Sequence, residues 1–193
     1  MDIENVKVSV KQISGWDRAK ECALQTIGKK MVNLPDEEWE RKMLLCEHAP
    51  IRAVEYDIKI ENVPYYVVMH IVRHHIGIEK YVTTQRDDRT SLSIPRAEKP
   101  QGQLVSVMLC CNAQALINIS RLRLCGCADK DTIAVWRKVR SEIAKVDPVM
   151  AEFMVRQCVY RGACTEVKCC GFFNTPAFLA ETMNYQALNQ NIE

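Results

Sequence analysis

Two stretches of the chain alternate apolar and polar residues with the period of two that is typical of a half-buried β-strand. Residues 6–10 alternate valines with polar neighbours, and residues 54–60 alternate apolar side chains with glutamate, aspartate and lysine. A third run, residues 104–109, is mostly apolar and has the length of a strand, but periodicity alone leaves a buried helix open. The pattern therefore predicts two strands and one segment that is either a strand or a helix.

Apolar residues recur at helical spacing in six other segments. The predicted helices cover about residues 16–31, 35–46, 64–75, 113–124 and 133–147, with a short last one over 150–157. Pro35 and the three acids after it suit a helix start, because acids favour the positive end of the helix dipole. The third predicted helix carries Arg73, His74 and His75 at its C-terminal end.

In two long segments the apolar residues recur with neither helical nor strand periodicity. Residues 76–103 contain Pro95, Pro100 and Gly102 as interruptions, and residues 158–193 combine turn residues with several thiols. Both are predicted to be irregular, and an irregular segment as long as the first is more often functional than idle. No repeat or domain boundary is evident, so the sequence predicts one α+β domain over residues 1–193.

Composition excludes several classes of protein. Of the 193 residues, 48% are hydrophobic and 26% are charged, which is neither disordered nor membrane-like. No run approaches the 18 apolar residues of a membrane span, and the N-terminus has no signal-peptide pattern, so we expect a cytoplasmic protein without a membrane partner. A net charge of +2 gives no field for non-specific nucleic-acid binding. Any anion site must therefore be local.

Residues 70–96 are the best candidate for such an anion site. They hold three of the four histidines and a series of arginines, among them Arg86 and Arg96. An arginine offers two parallel N–H groups that match phosphate oxygens. The alternative for Arg86 is a solvated surface arginine paired with Asp87 or Asp88. His74 and His75 are adjacent and point in different directions, so they are not expected to bind one metal together.

Ten cysteines are many for a chain of this length. Four lie in the C-terminal tail at spacings unlike a paired C-x-x-C zinc site, namely Cys158, Cys164, Cys169 and Cys170. Cys125 and Cys127 would complete a metal or iron–sulfur cluster if the tail folds back. The alternative is a set of reduced thiols without a ligand, and on balance we predict no metal site.

Several motifs occur in an order that resembles the flavin-dependent thymidylate synthase (ThyX) family. The first three are Glu47-His48-Ala49, Arg73-His74 and Thr84-Gln85-Arg86. The resemblance continues through Arg96, Pro100, Gly102, Asn112-Ala113, Leu122-Arg123-Leu124 and Ala128-Asp129. It covers roughly residues 45–140 and implies a mainly antiparallel sheet packed by helices.

The resemblance also implies roles for individual residues. Arg86 and Arg96 would hold the phosphate of dUMP beside Gln85, and Thr84 would stand at the place of the family's serine. Arg123 would face the pyrimidine and stabilise negative charge on it.

A further set of residues matches the family's flavin site. The residues expected beside FAD are Arg73, His74, His75, Asn112 and Asn118. His48 would border the flavin and the folate or substrate. Thr84, Arg123 and His48 are thus the expected catalytic residues.

The activity implied is the reductive methylation of dUMP to dTMP, with methylenetetrahydrofolate as carbon donor and NADPH as reductant, in a homotetramer with active sites between subunits. No protein nucleophile is required, and no cysteine has the sequence context of the thiolate in classical thymidylate synthases.

The chain departs from the family pattern at four points. His75 replaces an arginine, Thr83 or Thr84 replaces the serine after a longer spacer, the link to Arg96 is short, and Gln114 stands where many members have arginine. Two alternatives therefore remain open. One is a diverged enzyme that makes a different C5 modification of a pyrimidine nucleotide or only binds one, and the other is a thiol-rich module that binds metal or nucleic acid.

Overall fold

The computed structural model describes residues 3–89 and 94–190, and its centre is a four-stranded sheet. The strands are β1 (Lys7–Ser14), β2 (Glu55–Pro64), β3 (Ile78–Val82) and β4 (Leu104–Asn112). They lie in the order β1-β2-β4-β3, and every neighbouring pair is antiparallel. The α+β fold with an antiparallel sheet is confirmed, and residues 104–109 belong to a strand.

Eight α-helices accompany the sheet within the described residues. They are α1 (Trp16–Gln25), α2 (Glu37–Leu45), α3 (Tyr65–Ile71), α4 (Ala113–Arg123), α5 (Lys130–Val146), α6 (Pro148–Glu152), α7 (Gln157–Arg161) and α8 (Pro176–Gln190). Short 3-10 turns occur at Ile3–Asn5, Ala49–Ala53, Asp87–Arg89, Arg96–Glu98 and Phe172–Asn174. None of the helices described is long and apolar enough to cross a membrane.

The alternating strands bury one face of the sheet. Tyr56, Ile58 and Ile60 of β2 are fully buried, and the polar residues between them are more exposed. In β4 the same alternation buries Val107 and Leu109. Because the two strands are paired along most of their length, their buried side chains form one continuous layer of the main core.

A buried carboxylate joins this layer to the helices. Asp147, between α5 and α6, is only 5% exposed. Its Oδ2 accepts hydrogen bonds from the Tyr56 hydroxyl at 2.5 Å, from Trp16 Nε1 at 2.8 Å and from Gln12 Nε2 at 3.2 Å. Its Oδ1 accepts the backbone N–H of Met150 at 2.9 Å and so caps α6. One side chain thus connects two strands with three helices.

The prediction of an irregular segment at 76–103 is wrong in part, because this segment contains β3. The predicted helix 64–75 is also too long, since α3 ends at Ile71 and Gly77, with φ of +70°, lies between it and the strand. Arg73, His74 and His75 therefore lie in the loop between α3 and β3. The backbone of that loop, and not the last turn of a helix, positions these three side chains.

The C-terminal third also differs from the prediction. The predicted helix 150–157 is replaced by α6 and α7 with extended backbone at Arg156 between them. The tail contains α8, a helix of 15 residues that no apolar period indicates. Phe178 is the buried residue within it, whereas Leu179 and Met183 are 61% and 70% exposed.

The Asp147 cluster generates a prediction about stability. Asp147→Ala leaves the buried donors of Tyr56 and Trp16 without an acceptor, so we expect the free energy of unfolding to fall by about 3 kcal/mol or more. The matched control is Asp36→Ala, because Asp36 caps α2 through the N–H of Trp39 but is exposed. That change should cost about 1 kcal/mol. Urea denaturation measures both, and equal losses would contradict the central role of Asp147.

Candidate functional site

Two predicted site residues that are distant in sequence meet at the C-terminal end of α4. Arg123, its last residue, donates a hydrogen bond from Nε to Nε2 of His74 at 2.9 Å. The ring nitrogen must be unprotonated to accept this bond. His74 is therefore a neutral histidine that orients a guanidinium group.

More positive charge surrounds this pair. Lys80 of β3 donates from Nζ to the carbonyl oxygen of His74 at 2.5 Å and lies 3.3 Å from Nδ1 of His75. Together Arg73, His74, His75, Lys80 and Arg123 form what we call the basic cluster. Burial, followed by the charges of Arg123 and Lys80, lowers the pKa of His74 to about 4. A bound anion would relieve the repulsion within the basic cluster.

Burial also affects Arg123 itself. Loss of solvation, followed by repulsion from Arg73, lowers the pKa of its guanidinium group, which nevertheless stays charged at neutral pH. Among residues 3–89 and 94–190 no carboxylate forms an ion pair with Arg123, and a partly desolvated cation of this kind attracts an oxygen anion more strongly than a hydrated one does. The site thus has the electrostatic character expected for contact with a carbonyl oxygen that gains negative charge.

The start of α4 is fixed by Asn112. Its Oδ1 accepts the N–H of Ala115 at 2.9 Å, and its backbone N–H donates to the carbonyl oxygen of Gly77 at 3.0 Å. A Cβ atom at Gly77 would lie 2.7 Å from the same Oδ1, so only glycine fits there. Asn112 therefore joins the loop of the basic cluster to the helix that carries Arg123. Its amide nitrogen is the atom that remains for a ligand.

The predicted phosphate-binding residues lie in the loop after β3. Thr83 directly follows β3 and is still bonded to β4, because its N–H and hydroxyl both donate to the Ser106 carbonyl oxygen, at 2.8 and 3.1 Å. Thr84 is the first residue outside the sheet, and its Oγ1 accepts the N–H of Arg86 at 3.2 Å. Of the two threonines, Thr84 has the hydroxyl that is not occupied by the strand pairing.

Acidic residues of the loop pair with its arginines. The Arg86 guanidinium donates to both carboxylate oxygens of Asp88, at 2.9 and 2.7 Å, which is the alternative considered for this residue. Both side chains are more than half exposed, so the pair contributes little to stability. The backbone N–H of Arg96 donates to Asp87 Oδ1 at 2.8 Å.

Lys99 is a residue of this loop that the sequence analysis missed. Its side chain is 1% exposed, and its Nζ donates to the Gln85 carbonyl oxygen at 2.8 Å and approaches Asp87 Oδ1 at 3.5 Å. Lys99 therefore fixes the backbone that presents Arg86 and Arg96. One of its partners is a backbone carbonyl oxygen. Because every residue has such an oxygen, the sequence does not indicate this contact.

A third group of residues surrounds Glu47, which has φ of +44°. Its carboxylate accepts a hydrogen bond from Gln114 Nε2 at 2.6 Å and forms an ion pair with Arg121. Arg121 also stacks over the ring of Tyr160, 3.5 Å from its centroid. This fixed Arg121 was missed as well. Gln114, the residue in place of the family's arginine, thus contacts the neighbour of His48.

The remaining predicted residues border this third group. Asn118 Oδ1 lies 3.5 Å from Gln114 Nε2 and from Arg121 Nη1. Both Asn118 and His48 are exposed. Their side chains are therefore accessible to a ligand or to another protein surface.

The structure brings together some predicted residues and separates others. The basic cluster comes from the loop before β3, from Lys80 within β3 and from the end of α4, whereas Thr84, Arg86 and Arg96 follow β3. A strand of five residues spans roughly 15 Å. Arg123 and Arg96, both expected to contact one nucleotide, thus lie on segments at different ends of this strand.

Comparison with solved structures identifies similar folds. The UMP/dUMP methylase PolB from Streptomyces cacaoi, bound with 5-Br dUMP, has a TM-score of 0.63 and 15% identity over 77% of this chain and 94% of that chain. Thymidylate synthase X from Helicobacter pylori, with FAD and dUMP, has a TM-score of 0.60 and 12% identity over 77% and 99% of the two chains. At this identity the likeness establishes a ThyX-like fold. No protein-family model matches the sequence, and a search of curated proteins finds no match.

The basic cluster generates a prediction about titration. Arg123→Gln removes the second-largest cause of the low pKa of His74, so the pKa should rise from about 4 toward 6.5, without reaching it because burial remains. NMR titration of the imidazole measures the change. Arg18→Gln, on the exposed face of α1, should leave it unchanged. A His74 pKa near 6.5 in the unmodified protein would contradict this description of the site.

Proposed function

We propose that the chain is a flavin-dependent enzyme that methylates dUMP to dTMP, with methylenetetrahydrofolate as carbon donor and NADPH as reductant. The observation that carries this proposal is the hydrogen bond between His74 and Arg123, residues that are 49 positions apart and that the family resemblance assigns to one active site. The ThyX-like fold supports it independently, since the two structures compared above contain dUMP or its bromo derivative.

Arg123 would act on the pyrimidine. Methylation at C5 requires negative charge to develop on the ring, and a fixed guanidinium beside a ring carbonyl stabilises that charge better than mobile water does. His74 supplies the fixed orientation, because it is neutral and accepts the Nε–H of Arg123. His74 would then be a positioning residue for Arg123 as well as a neighbour of the flavin.

The basic cluster fits the diphosphate of FAD. Arg73 and Lys80 provide cationic donors, and the mutual repulsion of the cluster's charges, which adds to burial in lowering the pKa of His74, favours an anion at this place. Asn112 and Asn118 would contribute amide groups, with His75 and His48 at the edge. When bound, reduced flavin supplies the hydride, so no protein nucleophile is needed.

The loop after β3 would hold the nucleotide phosphate. Arg86 and Arg96 supply the charge, and Thr84 and Gln85 supply polar groups, on a backbone that Lys99 fixes. Since Arg96 and Arg123 are on segments at different ends of β3, we propose that they contact one dUMP from two subunits. This arrangement accords with the homotetramer that the family resemblance implies.

A second candidate is a related enzyme that methylates another uridine nucleotide. The replacement of the family's serine by Thr84 and of an arginine by His75 favours it, as does the likeness to a methylase named for both UMP and dUMP. The two candidates share the same site and differ in substrate.

An activity assay tests the proposal and separates the candidates. The purified protein should show a flavin absorption spectrum after incubation with FAD and should convert dUMP to dTMP when methylenetetrahydrofolate and NADPH are present. Parallel reactions with UMP and dCMP, each with and without the folate, identify the substrate by mass spectrometry of the products. A protein that stays colourless with added FAD and binds no dUMP would overturn the proposal.

Two arginine variants test the assigned roles. Arg96→Ala should mainly raise the KM for dUMP, by about 10- to 100-fold for the loss of a charge-assisted contact. Arg123→Ala should mainly lower kcat, because its contact strengthens as ring charge develops. Steady-state kinetics measures both, with Arg18→Ala as the control. Near-normal kinetics in both variants would show that the roles are misassigned.

A further inference from the structure

The C-terminal tail folds back on the end of α4, which is the condition that the sequence analysis set for a thiol cluster. Cys127 Sγ donates to the Lys168 carbonyl oxygen at 3.2 Å. A Cβ atom at Gly126 would lie 2.9 Å from the sulfur of Cys170, so glycine allows the close approach of the two segments. Arg156 adds a third contact, because its Nη1 donates to the Leu124 carbonyl oxygen at 2.9 Å.

Four thiols line a small cavity between these segments. They are Cys125, Cys158, Cys164 and Cys170. The cavity has a volume of about 10 Å³, which is close to the space of one water molecule or one ion. Cys125 is buried, Cys158 and Cys164 are half-buried, and Cys170 is exposed. These thiols converge from the segment just after α4, from α7 and from the loop that follows α7, around a space of this size.

The segment that carries two of these thiols, Cys164 and Cys170, has few contacts to hold it. No side chain in residues 160–171 is buried. The adjacent apolar cluster has only Val155, Val159 and Phe178 as buried members, and all the described cysteines are free. Small units without an adequate core are commonly stabilised by a metal ion or by disulfides.

We propose that Cys125, Cys158, Cys164 and Cys170 bind one zinc ion. Four soft thiolates form the preferred tetrahedral ligand set of a structural zinc site. The size of the cavity favours a single ion over an iron–sulfur cluster, which contains several iron and sulfide ions.

Binding requires the sulfur atoms to move inward. As they are placed, no three His, Cys, Asp or Glu side chains in residues 3–89 and 94–190 are arranged to hold one metal ion. Zinc–sulfur bonds are about 2.3 Å long, so the four thiols must rotate toward a common centre. Cys164 and Cys170 lie in the loop after α7, which has no buried side chain to oppose that movement, whereas Cys158 on α7 packs against the apolar cluster of Val155, Val159 and Phe178.

One cation and one carboxylate line the cavity, Arg156 and Glu166, and Cys125 Sγ lies 3.9 Å from Glu166 Oε1. Zinc with four thiolates carries a net charge of about −2. Arg156 lines the cavity and is fixed by stacking over Phe172, 3.9 Å from the ring centroid. Its Nε and Nη1 already donate to Glu181 and to the Leu124 carbonyl oxygen, so Nη2 is the group that would donate to a thiolate sulfur and offset part of that charge.

The proposed site would also fix the active-site end of α4. Cys125 follows Arg123 by two residues, so an ion bound by Cys125 restrains the backbone beside that arginine. This consequence rests on the proposed function, whereas the metal site itself does not. Zinc binding can therefore be tested without any assay of activity.

The test uses the full chain, purified under reducing conditions. We expect elemental analysis to find about one zinc per chain, and Co²⁺ added to the chelated protein to give the visible absorption of a tetrahedral thiolate site. Removal of zinc with a chelator should lower the melting temperature. Iron and sulfide instead of zinc, a Cys–Cys disulfide in place of metal, or no uptake of Zn²⁺ or Co²⁺ would each overturn the proposal.

Cysteine variants test the ligand set. Cys158→Ser and Cys170→Ser should lose most of the bound zinc and the Co²⁺ absorption, whereas Cys22→Ser and Cys46→Ser, in α1 and after α2, should keep both. Circular dichroism shows whether each variant is folded. If a variant does not fold, Co²⁺ uptake by the unmodified protein still tests the proposal. Full zinc binding by Cys158→Ser and Cys170→Ser would overturn the assignment.

Discussion

The carboxylate of Asp147 is the interaction on which the rest of the fold depends. Its Oδ2 accepts three hydrogen bonds from side chains of β1, α1 and β2, while its Oδ1 begins α6. A buried charge is tolerated only when it is fully hydrogen-bonded, and each donor would in turn be costly to leave unpaired. These elements must therefore assemble together around Asp147, which fixes the helices relative to the sheet.

The position of the candidate site follows from this arrangement through a short series of contacts. Tyr56, held by Asp147, pairs across the sheet with Cys111 of β4. The next residue, Asn112, caps α4, and a helix of eleven residues extends about 16 Å from that cap. Its last residue is Arg123, which reaches His74. The register of two core strands and the length of one helix thus determine where the guanidinium lies.

Sequence predicted the elements whose burial has a clear period. The alternation in β2 and the spaced apolar residues of α4 and α5 are such cases, because each buries one continuous face. In contrast, β3 is an edge strand of five residues in which Ile78 is the buried one. In α8 only Phe178 is buried among residues 176–188, so no amphipathic pattern exists to be detected.

In the candidate site, too, only residues that belong to a recognisable sequence pattern were predicted. Arg73, His74 and Arg123 were identified by family motifs, and the structure adds the direct contact between His74 and Arg123. Lys80 and Lys99 were missed because they donate to the backbone carbonyl oxygens of His74 and Gln85. Any residue type has such a carbonyl, so a sequence pattern does not reveal these partners.

The two halves of the candidate site differ in how they are prepared for a ligand. Arg123 is half-buried, its partner His74 is neutral, and no carboxylate in the described part of the chain forms an ion pair with it, so a bound anion would displace no carboxylate there. In the loop after β3, by comparison, Arg86 is already paired with Asp88, so the phosphate predicted to bind there would have to replace that partner. An exposed pair of this kind contributes only about 0–1 kcal/mol, so its replacement costs little. The guanidinium of Arg123 at the end of α4 is therefore oriented before any ligand binds. Arg86 in the loop after β3 is instead paired with Asp88, and a ligand would have to compete with that carboxylate.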